Sequence, residues 1–136
     1  MHTLNFQTLH LYDVTSSGIT IPVELSLGRE RVTIANAKLD TGASFCIFQR
    51  EYGDILGLDV EQGLEQRIAT PTGAFMAYGH EVSLNTLGHE FLVTAYFAPF
   101  HGFVRNVLGR HGWLDKVRLG IVDYDGKLYI SAYDET

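Results

Sequence analysis

Lys38-Leu39-Asp40-Thr41-Gly42-Ala43-Ser44-Phe45-Cys46-Ile47-Phe48 is the stretch on which the fold turns. An acidic residue followed by Thr-Gly, just after a strand, is badly placed for regular ladder pairing. Gly lets backbones approach closely, and a Thr hydroxyl can lock a tight loop by hydrogen bonds. Alone, Asp-Thr-Gly is no more than an Asp-started turn, because motifs this short recur by chance. The run Phe45 to Phe48 that follows reads as an apolar strand. Gln49 to Leu56, closed by Gly57, then predicts a short helix with Tyr52, Ile55 and Leu56 on its apolar face.

Outward from this stretch the period is two. Ile19, Ile21, Val23, Leu25 and Leu27 alternate with Thr20, Pro22, Glu24, Ser26 and Gly28, the pattern of a half-buried strand. Pro22 cannot donate to a ladder, so the strand lies at an edge or turns that residue outward. Gly28-Arg29-Glu30-Arg31 reads as a turn before a return strand carrying Val32 and Ile34. Val82 to Leu84 and Glu90 to Phe97 predict a strand pair around Leu87-Gly88. Leu119 to Asp123 and Leu128 to Ala132 predict a tight hairpin around Asp125-Gly126. A second helix is expected over Trp113 to Val117. Short strands with turn signals and one or two short helices give a mostly β domain, barrel-like or sandwich-like.

The chain has 136 residues, enough for one compact domain, and no linker or repeat divides it, so residues 1–136 form a single unit. Hydrophobic residues make up 46% and charged residues 19%, which supplies a core and argues against disorder. The formal charge of -6 argues against nucleic-acid binding, which needs a basic face. Cys46 is the only cysteine, so neither a disulfide within the chain nor a multi-cysteine zinc site can form. No apolar run reaches the ~18 residues of a membrane span, and the start lacks the pattern of a signal peptide. The expectation is a soluble, cytoplasmic protein that binds neither membrane nor nucleic acid.

About sixty residues beyond Asp40 stands Arg105-Asn106-Val107-Leu108-Gly109-Arg110, directly before the second helix candidate. The two motifs, in this order and at this spacing, resemble the retropepsin-like aspartic peptidases, the retroviral-type proteases and their single-domain relatives. Gly109 to Asp115 resembles the stand-alone bacterial branch most, and the match runs from Leu25 to Ser131. The resemblance implies a closed, mostly antiparallel β-barrel working as a two-fold homodimer on a polypeptide substrate. It implies that Asp40 is the catalytic carboxylate and that Thr41, Gly42, Ala43 and Ser44 complete the active-site loop. In the family the Thr41 hydroxyl braces the two loops across the subunit boundary, and the Gly42 backbone lies against bound peptide. Val107, Leu108 and Gly109 match a buried segment behind the loop, with Val107 and Ile47 facing substrate. The acidic partner that Arg110 has in retroviral relatives is replaced here by Ser44.

Gln66 to Glu81 lies between the motifs, and Thr70-Pro71-Thr72-Gly73 has the composition of a β-turn between extended arms. It matches the family's flap, the hairpin that closes over substrate, with Ile68, Ala69, Ala74, Phe75 and Met76 on its arms and with Thr72, Gly73 and Ala74 expected to touch substrate. The chemistry needs two carboxyl groups, one as base and one as acid. No other Asp in the chain is followed by Thr-Gly or Ser-Gly, so the second carboxylate must come from a second copy across a two-fold axis. Apolar pocket residues imply apolar side chains beside the scissile bond.

Other residues point to less. His80-Glu81 and His89-Glu90 do not begin His-Glu-x-x-His, and no metal or organic cofactor is expected. His101 and His111 read as loop histidines, Cys46 as strand packing, and Trp113 and Leu114 as core. Tyr96, Phe97, Phe100 and Phe103 serve either substrate pockets, a dimer contact or the core, with Tyr96 and Phe97 assigned to the core. The rival functions are a non-catalytic peptide-binding or dimerisation module of the same fold, and a metal-dependent hydrolase using His80, His89 and nearby acids.

Overall fold

The computed structural model describes residues 1–135. The strands are β1 (Thr8–Leu11), β2 (Thr20–Leu27), β3 (Glu30–Leu39), β4 (Ile47–Phe48), β5 (Leu64–Thr70), β6 (Gly73–Thr86), β7 (His89–Phe97), β8 (Val107–Leu108), β9 (Val117–Val122) and β10 (Lys127–Ala132). The helix α1 spans Arg50–Ile55, and three short 3-10 turns complete the described residues. The protein is mostly β.

Two sheets carry these strands. The larger follows the order β2-β3-β8-β4-β7-β6-β5, and β2 also pairs along its other edge with β6, Val23 to Ser26 against Thr86 to Ser83. The smaller is β1-β10-β9, antiparallel throughout. The larger is mixed, because β3 pairs with β8 and β4 with β7 in parallel. Alternation dictates what lies inside: Ile21, Val23 and Leu25 of β2 are buried and meet Ile34, Leu84, Phe97, Leu108, Leu128 and Ile130 in one core that both sheets share.

Pro22 is exposed and sits where the β2–β3 register shifts between Ile21 and Val23. It thus turns outward at an irregularity, and the pairing to β6 begins only after it, so β2 has neighbours on both sides. Leu87 and Gly88 both have positive φ, 52° and 88°, which makes the β6–β7 connection a tight two-residue turn. A positive φ is costly for Leu. The Asn85 side chain accepts the Gly88 N–H at 3.2 Å and helps hold it.

Three local expectations need correction. In α1, Leu56 is buried just past its end, but Ile55 is 51% exposed, and the residue turned inward is Gly53. A Cβ there would lie 3.0 Å from Val60 and 3.1 Å from Phe97, tighter than an ordinary contact, so Gly lets the helix sit this close to the core without displacing those side chains. Trp113 to Val117 forms no α-helix: Leu114–Lys116 is a single 3-10 turn, and Val117 already pairs with Ala132 in β9. The β9–β10 hairpin exists with Gly126 left-handed, but its loop is shifted one residue back, to the 3-10 turn Asp123–Asp125 and Gly126, so Lys127 is already in β10. The Tyr12 hydroxyl donates to Asp123 at 2.6 Å across that loop.

Candidate active site

β3 delivers Leu39 into the core side of the sheet and ends, leaving Asp40 exposed at its tip. The Asp40 N–H donates to the Leu108 carbonyl at 3.1 Å, so the loop starts from the strand of the second motif. Asp40 Oδ1 accepts the Gly42 N–H at 2.9 Å, and the Ala43 N–H donates to the Asp40 carbonyl at 3.2 Å. The carboxylate thus closes its own turn with one oxygen, which fixes its direction. Thr41 is exposed beside it.

The second motif lies between the two strands that flank this loop. Val107 pairs with Lys38 of β3 in parallel and with Ile47 of β4 in antiparallel fashion. Beyond it the Arg110 N–H donates to Ala43 and the His111 N–H to Ser44, both at 2.9 Å. Gly109 is where the two segments cross: a Cβ there would overlap the Phe45 carbonyl oxygen and lie 2.9 Å from that of Ala43. Buried Asn106 locks the other end. Its Nδ2 donates to Gln49 Oε1 at 2.9 Å, its Oδ1 accepts the Gln49 N–H at 3.1 Å, and its carbonyl accepts the Lys38 N–H at 2.8 Å. A buried amide with these partners is well satisfied and ties β3, β8 and the start of α1 together.

Cys46 is fully buried with Sγ 4.0 Å from the Gly109 carbonyl oxygen. Burial pushes its thiol up to about 12, so it packs the loop and offers no thiolate near neutral pH. Arg110 is exposed, and among the described residues its side chain makes no ion pair or hydrogen bond. Its main-chain N–H serves the loop instead.

A cavity of about 570 Å³ opens over Asp40. Of the residues singled out from the sequence, Asp40, Gly42, Ala43, Ser44, Ile47 and Val107 line it. From the far side come Ile68, Ala69, Thr70, Pro71 and Phe75. These belong to the hairpin of β5 and β6, which pair from Leu64↔Gly79 to Thr70↔Gly73 around a two-residue tip. Thr72, Gly73 and Ala74 at the tip are exposed and are not part of the cavity wall. Phe75 packs against Phe103 and Phe100 at ring distances of 5.3 and 5.5 Å, joining the hairpin to the segment before β8. Sequence reasoning missed Arg67 and Arg105, which line the same cavity with Phe103. Arg105 opens the second motif and Arg67 lies in the segment read as the flap, but neither was given a role, because only the tertiary fold brings them to Asp40.

Phe97 lies in the core, Phe100 is 45% exposed, and Tyr96 packs edge-on against Phe45. Trp113 is fully buried and Leu114 partly so. The histidines are dispersed. His80 Nε2 bonds the Val60 carbonyl at 2.9 Å, His89 Nε2 meets the Thr8 hydroxyl at 3.2 Å, and His101 Nδ1 lies 2.9 Å from Glu51. His111 is 3.7 Å from Asp115 and borders a second cleft of about 270 Å³, which shares only Phe45 with the cavity over Asp40. Among the described residues no three His, Cys, Asp or Glu side chains are grouped to hold a metal ion, and no helix is long and apolar enough to cross a membrane.

No family model and no curated protein matches this chain.

Proposed function

We propose that this protein is a retropepsin-like aspartic endopeptidase, active as a homodimer in which the Asp40 carboxylates of two copies hydrolyse a peptide bond of an extended polypeptide. The observation that carries this is the threading of Val107-Leu108-Gly109 between the strands on either side of the Asp40 loop, under a hairpin that shares one cavity with Asp40. A turn that merely started with Asp would need neither. The closed-barrel fold is supported by β2 pairing with both β3 and β6, which closes β2-β3-β8-β4-β7-β6 into a ring and leaves β5 outside it. The dimer is supported by the single Asp-Thr-Gly and by the exposure of both Asp40 and Thr41 in the isolated chain.

In the dimer the two carboxyl groups lie about 3 Å apart and share one proton, as in aspartic proteases generally, since both cannot ionise at that distance. The ionised member takes a proton from water as that water attacks the peptide carbonyl. The protonated member polarises the carbonyl oxygen and then supplies the leaving nitrogen. The Asp40 Oδ1 bond to the Gly42 N–H keeps each carboxylate aimed without consuming its outer oxygen. The hairpin excludes water once substrate is seated.

Asp40→Asn tests the assignment. The variant should fold and dimerise by light scattering yet lose cleavage of a mixed peptide library, by a factor of about 10⁴ or more if it behaves as removal of an essential acid–base group. Undiminished turnover would reject the role of Asp40. Full activity in a protein that sediments only as monomer would reject the shared site. A folded dimer that binds peptides and cleaves none would instead be the non-catalytic module.

A further inference from the structure

We propose that Arg67 and Arg105 make the cavity over Asp40 selective for polypeptides that carry acidic side chains beside an apolar scissile segment. This rests on the peptidase reading of that cavity. The chain as a whole is acidic, with ten basic against sixteen acidic residues, so a cationic cleft runs against its average. Yet the cavity wall holds two arginines and one carboxylate, Asp40. Arg31 and Arg50 are paired with Glu24 and with Asp54 and Glu61, whereas among the described residues Arg67 and Arg105 have no carboxylate within 4.0 Å. Their charges are therefore free to meet a ligand.

The two arginines enter from different walls. Arg67 is on β5, the outer arm of the hairpin that covers the cavity, and Arg105 stands two residues before Val107 on the opposite segment. An extended peptide between them exposes side chains alternately to the two sides. A guanidinium offers a planar donor fork that fits a carboxylate in two parallel bonds, and covering by the hairpin removes competing water. The rest of the wall, with Ile47, Ile68, Phe75, Phe103 and Val107, suits apolar side chains. In a two-fold dimer both arginines recur, so acidic positions are favoured on each side of the cleaved bond.

Two assays on matched extended peptides, carrying Glu or Gln on either side of an apolar pair, decide the matter: cleavage by the wild-type protein and anisotropy binding to Asp40→Asn. The expected result is an advantage of about tenfold for the Glu peptide in both, in line with a charge-assisted hydrogen bond at a partly exposed site. The advantage should shrink as added salt screens it and disappear as pH falls below the ordinary Glu value of about 4.3. R67Q/R105Q should bring the Glu-to-Gln ratio close to one, while R31Q, on a distant pair, should leave it unchanged. Equal handling of both peptides by the wild-type protein, a ratio that survives R67Q/R105Q, or no binding of either peptide overturns the proposal. Cleavage without Glu preference defeats this selectivity and leaves the peptidase standing. Selective binding without any cleavage does the reverse.

Discussion

The Asp40 loop and the β5–β6 hairpin face each other across one cavity, and they are held by opposite means. The loop is fastened from below by residues distant in sequence: Leu108 accepts the Asp40 N–H, and the Arg110 and His111 N–H groups donate to the Ala43 and Ser44 carbonyls, while Cys46, Phe48 and Leu108 are fully buried around it. The hairpin is local. Its outer arm β5 ends the strand order and pairs only with β6, Leu64 is 67% exposed, and its tip from Pro71 to Ala74 stands in solvent. Beyond that ladder, the ring cluster of Phe75 with Phe100 and Phe103 ties its end to the body. On the proposed peptidase reading, a carboxylate that must meet its symmetry mate within a few tenths of an ångström requires the first kind of support. A cover that admits and releases a polypeptide requires the second, since segments with few buried contacts open at low free-energy cost.

The sharpest way to break this contrast is Gly109→Ala. The added Cβ collides with main-chain atoms of Phe45 and Ala43, which cannot swing aside as a flexible side chain would. Overpacking against fixed backbone costs about 3 kcal/mol, which lowers the thermal midpoint by roughly 10 °C for a domain of this size. Calorimetry should show that loss together with loss of activity. A variant that melts within a degree or two of the parent would mean that the crossing under the loop has room for a methyl group.

How far the sequence foretold this division depends on the range of the forces involved. Strands with clean alternation, such as Ile19 to Leu27, and the helix bounded by Gln49 and Gly57 were readable because each residue's neighbours on the chain decide its state. The loop was readable because Asp40, Thr41 and Gly42 are contiguous and their partner segment has its own short signature. Trp113 to Val117 misled because helical spacing competes there with a strand. Lys116 accepts the Tyr133 N–H through its carbonyl at 2.9 Å, and Val117 enters β9 one residue later, so no second turn of helix can form. Arg67 and Arg105 fall within the flap and second-motif segments, yet their part in the cavity was not legible, because nothing local marks two arginines that meet only across a cavity. Ile55 shows the same limit on a smaller scale: a six-residue helix has room for only one turn and a half of contacts, and Gly53 took the inward place.

Cys46 sharpens the contrast from the loop side. Its folded thiol titrates near 12 because burial penalises the thiolate, whereas an unfolded thiol titrates near 9. Below about pH 9 both states hold the proton, and its contribution is constant. Between about 9 and 12 the unfolded chain loses the proton first, so stability falls as pH rises through that window. Denaturant titrations should show a steeper decline there for the parent than for Cys46→Ala. At pH 8 a thiol reagent should label Cys46 no faster than the whole molecule opens. Rapid labelling of native protein would place the loop among the mobile parts and erase the distinction.

The smallest effect belongs to the hairpin. Phe75→Ala removes two ring contacts from a half-buried position, each worth about 0.5–1.5 kcal/mol in paired aromatics. Because the contacts join a marginal segment to the body, their loss should fall on local opening more than on global melting. Amide exchange at the β5–β6 tip should accelerate about tenfold while the amides of β3, β8 and α1 keep their protection. The midpoint should drop by only a few degrees. If the proposed peptidase activity holds, a cover held less firmly grips substrate less well, so KM should rise more than kcat falls. If the variant instead unprotected β8 and melted as early as Gly109→Ala, the hairpin would be part of the same cooperative unit as the loop. Release of substrate would then require disturbing the carboxylate itself, and a site built that way could not both turn over and keep its two acids aligned.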